Sequence, residues 1–162
     1  MKTGIYLSYI GLGANLLHLS YCHQIAKKHG PVTIITLCKN LKEALADDPL
    51  IEKVYYLDKY QKKFFDIFKL SRILKEFNFQ NLLIFYPSLR IYFAAKVAGI
   101  KKIYSYNFFK KKNLHLIDAA KSLTQNFLKS DKCETETSFF IKDERILNVD
   151  KELNNKNFKI VI

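Results

Sequence analysis

Several things are scarce in this chain, and each scarcity excludes something. There are three cysteines, Cys22, Cys38 and Cys133, far apart and never in a C-x-x-C pair. That spacing offers neither a zinc site nor a redox motif, and an odd count fits a reducing compartment. No apolar run approaches the roughly 20 residues that a membrane helix needs. The first residues carry one early lysine and then a strand-like run without a small-residue cleavage site. The expectation is therefore no signal peptide and a cytoplasmic location. Acidic residues are also few, 15 against 27 Lys and Arg, for a net charge of +12. Such a balance favours anionic partners: nucleic acid, a phosphorylated sugar, or the anionic inner face of a membrane.

A third glycine is missing where it would matter. Ile5–Tyr9 reads as a buried strand, Gly11-Leu12-Gly13 as a glycine turn, and Ala14–Lys28 as a helix. Strand, turn and helix in that order open a doubly wound α/β domain. A dinucleotide fingerprint would place glycine or alanine three residues after Gly13, where Leu16 stands. It would also end the second strand in an acid, where Cys38-Lys39-Asn40 follows. A NAD or FAD site is thereby disfavoured. Two readings of Gly11 and Gly13 stay open. They serve the tight turn alone, or they let an anionic or polyhydroxyl ligand approach the backbone.

What is present is a regular alternation. At 162 residues and 49% hydrophobic, the chain can build one real core. Strands are expected at Val32–Leu37, Val54–Leu57, Leu82–Tyr86 and Lys102–Ser105. Helices are expected from Asn40, as cap, through Ala46, and over Phe64–Phe77, where apolar residues recur at the helical period. A further helix opens at Pro87-Ser88 and runs through Val97, and another covers Leu116–Lys129. Thr137–Ile141 reads as extended and Asp143–Leu153 as a weak polar helix. Phe158–Ile162 reads as a strand, the entry to a second domain or an edge of the same sheet. The fold class is α/β, a Rossmann-like, mostly parallel sheet flanked by helices. The division expected is a domain over 1–153, with 154–162 as linker and first strand of a second domain.

Many lysines fall on expected helix faces, where solvation explains them. The exception is Asn107 to Asn113, where Phe108 and Phe109 precede Lys110, Lys111 and Lys112. Aromatics beside a lysine run suit nucleic acid or a lipid interface. No RNP, zinc-finger or helix-turn-helix pattern supports nucleic acid.

Several strings, in order and spacing across the whole chain, resemble the N-terminal half of family 9 glycosyltransferases, the lipopolysaccharide heptosyltransferases of the GT-B fold. They are Ile10-Gly11-Leu12-Gly13, Ala46-Asp47-Asp48-Pro49-Leu50-Ile51-Glu52-Lys53-Val54, Ser88-Leu89-Arg90, Ala98-Gly99-Ile100-Lys101-Lys102-Ile103 and His115-Leu116-Ile117-Asp118. The resemblance implies an acceptor-binding domain for a lipid-linked, phosphorylated saccharide, facing a second domain that holds a nucleotide sugar, typically ADP-heptose. It implies an inverting transfer with no metal and no cofactor beyond that co-substrate, peripheral at the inner membrane face. Acceptor-binding residues would be Gly11, Gly13, Ala14, Asn15, Ser88 and Arg90, with Lys110–Lys112 as a membrane or anion contact. The family carries an aspartate as general base after the first glycines. Here Ala14 and then Asn15 stand in its place, and neither accepts a proton. His18, one helical turn on, is the substitute base that the sequence offers, or else a packed helix residue.

Overall fold

Five strands and six helices alternate among the residues that the computed structural model describes, 2–57, 66–86, 88–106, 115–133 and 139–140. They are β1 (Thr3–Leu7), α1 (Leu12–Leu16), α2 (Leu19–His29), β2 (Val32–Thr36), α3 (Leu41–Ala44) and β3 (Ile51–Tyr56). Then come α4 (Asp66–Phe77), β4 (Asn81–Ile84), α5 (Leu89–Val97), β5 (Lys102–Ser105) and α6 (Leu116–Leu128). All strand pairs are parallel, in the order β3-β2-β1-β4-β5. The inner strands β1, β2 and β4 are buried at every residue, as their continuous apolar runs require. The edge strands β3 and β5 carry the charges Glu52, Lys53 and Lys102 on exposed positions.

Alternation along the strands splits the core in two. Ile5, Leu7, Ile34, Leu83 and Phe85 face α2 and α6, packing with Tyr21, Cys22, Ile25, Leu123 and Phe127. Tyr6, Ile35, Leu82 and Ile84 face α4 and α5, packing with Ile67, Leu70, Leu74, Ile91 and Ala94. Gly4 lies on this second face, where a Cβ would stand 2.8 Å from the ring of Phe79. A buried pair ties α2 to the loop before β3: His23 Nε2 lies 2.6 Å from Asp48 Oδ2, and Asp48 Oδ1 accepts from the Leu50 amide.

Three expectations need correction. The helix expected over Ala14–Lys28 is two helices, broken at Leu17-His18. The reason is local. In an unbroken helix the His18 amide would bond to the Ala14 carbonyl. Here that amide reaches only Asn15 O, at 3.0 Å, and the His18 ring takes the Ala14 carbonyl at 2.8 Å. Second, Asn40 does not cap α3 with its side chain. It is itself helical, at φ −83° and ψ −7°, so the extended cap geometry is absent. Third, the first strand ends at Leu7 and the fourth at Ile84, each two residues early, and Tyr9 beyond the first stacks on His18.

The expectations for Asp143–Leu153, Phe158–Ile162, the boundary at 153/154, Pro87 and Lys110–Lys112 lie outside the described residues. Of Thr137–Ile141 only Phe139 and Phe140 are described, and neither pairs in the sheet.

Candidate functional site

The sheet order reverses between β1 and β4, the strands that lie side by side at its centre. The chain leaves them in opposite directions, so a crevice opens beyond their C-terminal ends. Two loops meet there, one after each strand. The Phe85 amide donates to Tyr6 O at 3.0 Å, and the Tyr9 hydroxyl donates to Phe85 O at 3.2 Å. The rings of Tyr9 and Tyr86 meet edge to face, 5.8 Å between centroids.

Gly11 and Gly13 are exposed beside this junction. Gly11 is extended, at φ −76°, and neither glycine has a left-handed backbone. A Cβ on either would meet nothing within 4 Å. Neither turn conformation nor packing therefore demands glycine here. What the two glycines leave is bare backbone bordering open space.

Asn15 lies directly beneath, 1% exposed. Its amide nitrogen donates to Tyr9 O at 2.9 Å and to Gly11 O at 2.6 Å. Its oxygen accepts from the Thr36 hydroxyl at 3.1 Å. Thr36 Oγ1 in turn accepts from the Cys38 amide. Asn15 thus braces the first turn against the end of β2, with both donors already committed. The sequence reading set it in the crevice; the structure sets it under the crevice floor.

His18 is also enclosed, 0% exposed. Tyr9 stacks on its ring at 4.9 Å, and Phe85 meets it edge-on at 5.6 Å. A carbonyl only accepts, so Nδ1 carries the proton and Nε2 the lone pair, which has no partner. Burial holds the ring's pKa below its usual value, against the opposing Ala14 hydrogen bond. A general base must come within about 3 Å of its proton. The described contacts of this ring are Tyr9, Phe85 and the Ala14 carbonyl.

Ala14 is half-buried, and only its carbonyl is engaged. Ser88 caps α5 as its sequence suggests, extended and accepting from the Ile91 amide at 3.4 Å. Arg90, half-buried in the first turn of α5, approaches from the α4–α5 face of the sheet. Its Nε is buried without a hydrogen-bond partner. Its charge acts on the Tyr6 phenol, whose pKa burial still pushes up to about 12. Tyr9 is likewise raised to about 12, by burial and then by Tyr86. The sequence reading missed both Tyr9 and Tyr86, although tyrosines at the ends of two central strands were there to be seen.

A family model described as glycosyl transferase 4-like matches residues 7–128, which include both crevice loops. The chain belongs to the glycosyl transferase 4-like family. No curated protein sequence matches it. Among solved structures it is similar to a glycosyl transferase family 9 protein from Veillonella parvula, at 14% identity and TM-score 0.68. That match covers 98% of this chain and 50% of the other. It is also similar to ADP-heptose lipopolysaccharide heptosyltransferase II of E. coli, at 8% identity and TM-score 0.66, covering 94% of this chain and 50% of that one. A glycosyltransferase of Rickettsia africae matches at 11% identity and TM-score 0.50, over 94% and 49%. At these identities the likeness establishes the fold, and this glycosyl transferase 4-like chain spans about half the length of each neighbour. Among the described residues no helix is long and apolar enough to cross a membrane.

Proposed function

We propose that the chain is the acceptor-binding half of a family 9-like glycosyltransferase of the GT-B type. Its partner substrates are a nucleotide sugar, of the ADP-heptose class, and a lipid-linked phosphorylated saccharide in lipopolysaccharide or other envelope polysaccharide synthesis. The work is done at the cytoplasmic face of the membrane. One observation carries the reading. The bare Gly11–Gly13 turn borders open space beside the strand reversal between β1 and β4, and Ser88 and Arg90 open the helix that follows β4. Bare backbone suits a polyhydroxyl ligand that must come close. An arginine fork suits phosphate or carboxylate.

The chemistry asked of this half is binding and orientation. An inverting transfer needs a base at the acceptor hydroxyl, and the first turn has no carboxylate, with Ala14 where the family carries one. Ala14 and the enclosed His18 favour a second reading, a non-catalytic relative that binds saccharide only.

Titration with a phosphorylated disaccharide, followed by amide shifts, tests both readings. Shifts should centre on Gly11, Gly13, Ser88 and Arg90. Arg90→Gln should weaken binding by about 10- to 100-fold, the worth of a charge-assisted hydrogen bond. Shifts elsewhere, or none, would remove the acceptor site. Turnover with a nucleotide sugar in the longer protein separates transferase from binder.

A further inference from the structure

Helix α5 is apolar on both sides. Ile91, Ala94 and Ala95 turn inward and are buried. Leu89, Phe93 and Val97, at i, i+4 and i+8, turn outward and stand 56%, 50% and 57% exposed. A helix that is apolar all round is normally covered on both faces. The corresponding outward row of α6, on the other side of the sheet, is Asp118, Ser122 and Asn126, all exposed and polar. The two helices have the same task toward the sheet, so the difference is confined to what each shows the outside.

The charge around the stripe is mostly positive. No acidic residue occurs between Glu76 and Asp118, a stretch that holds seven Lys and Arg. Lys96 lies within the outward face of α5, and Lys101 and Lys102 are exposed just beyond its end. The neighbouring α4 exposes Lys69, Arg72 and Lys75 against a single acid, Glu76. Apolar residues ringed by cations are the pattern of a helix that lies in a lipid interface. Two copies of so basic a face would repel each other, which argues against self-pairing.

We propose that the outward face of α5 is a docking surface for an anionic lipid bilayer. Leu89, Phe93 and Val97 enter the headgroup boundary, and the lysines meet anionic headgroups. Each basic residue near such a surface strengthens binding by about fivefold. This inference rests on the reading of a lipid-linked acceptor only for its purpose. A chain that binds vesicles but no phosphorylated saccharide keeps the docking surface and loses the transferase reading.

The chain has no tryptophan, so a single introduced indole reports its own surroundings. The probe is phosphatidylcholine vesicles with and without phosphatidylglycerol. Phe93→Trp emission should shift blue with the anionic vesicles alone, and Asn126→Trp, on the opposite side, should not shift. In a flotation assay the pair Phe93→Gln and Val97→Gln should lower vesicle binding by about tenfold or more. Its circular dichroism should match the parent chain, because both side chains face outward. High salt should weaken binding of the parent. An unshifted Phe93→Trp overturns the proposal. So does vesicle binding that the double substitution leaves intact. Self-association of the parent that the double substitution abolishes would assign the stripe to a copy interface instead.

Discussion

Replacing Asn15 with Asp asks whether the residue after Ala14 is a lapsed base or a brace. The two side chains have the same shape. Aspartate keeps the oxygen that accepts from Thr36 and loses both donors, at 2.9 Å to Tyr9 O and 2.6 Å to Gly11 O. Each loss leaves a buried carbonyl facing an oxygen, worth about 1–3 kcal/mol. Two of them sum to about 4 kcal/mol, or a Tm lower by about 8–16 °C for a domain of this size. The pH dependence has a definite sign. Burial and the facing carbonyls raise the folded-state pKa of the new carboxyl above its unfolded value near 3.9. The neutral acid restores one donor, so stability is greatest at acid pH and is lost as pH rises through the folded pKa. Differential scanning calorimetry at about pH 5 and about pH 8 reads both effects. Ala14→Asp is the control. Its side chain has no structural task, so its Tm should stay within about 2 °C of the parent, under 1 kcal/mol. An Asn15→Asp chain as stable as the parent at neutral pH would refute the brace.

Three further outcomes are expected. Asp48→Ala should lower stability in urea by about 1–3 kcal/mol, because the buried His23 loses its hydrogen-bond partner; adding His23→Leu should recover much of the loss, and a single-substitution effect under about 0.5 kcal/mol would discount that tie. His18 is held neutral by burial, so the unfolded chain binds its proton more readily. Its contribution is full above about pH 6.5 and falls away as pH drops toward the lower folded value, so His18→Phe should flatten the acid limb of the urea midpoint by up to about 1.4 kcal/mol per pH unit; parallel limbs would contradict the assignment. Gly4→Ala should destabilise by about 1–3 kcal/mol through its clash with the Phe79 ring, and Phe79→Leu in the same chain should relieve part of it. An unchanged Tm for Gly4→Ala would place that ring elsewhere.

The sheet was legible because its inner strands are unbroken apolar runs, Val32–Thr36 and Asn81–Ile84 among them, and such runs need cover on both faces. The broken first helix was not. Ala14–Lys28 holds no glycine or proline to mark a break, and the break turns on one ring replacing one amide at the Ala14 carbonyl. Periodicity carries no trace of that exchange. The site divides the same way. That Gly11 and Gly13 stand exposed and that Ser88 caps a helix was readable, because turn and cap chemistry are local properties of the sequence. The surroundings of Asn15 and His18 were not legible, because their neighbours in space, Thr36 and Phe85, lie far along the chain. Residue type alone does not separate a polar side chain that faces a ligand from one that ties a loop.

The loop that holds position 14 is built without using its side chain. Asn15 fastens the turn to Tyr9, Gly11 and Thr36, and His18 fastens it again through the Ala14 carbonyl. Any residue with ordinary backbone geometry at 14 leaves those bonds in place. A change between aspartate and alanine there therefore alters the chemistry at the crevice and leaves its shape alone. That separation lets the turn keep its shape without a carboxylate, its glycine backbone bordering open space. The shape of this turn and the chemistry of the side chain at position 14 are independent, because the shape is held by Asn15 and His18.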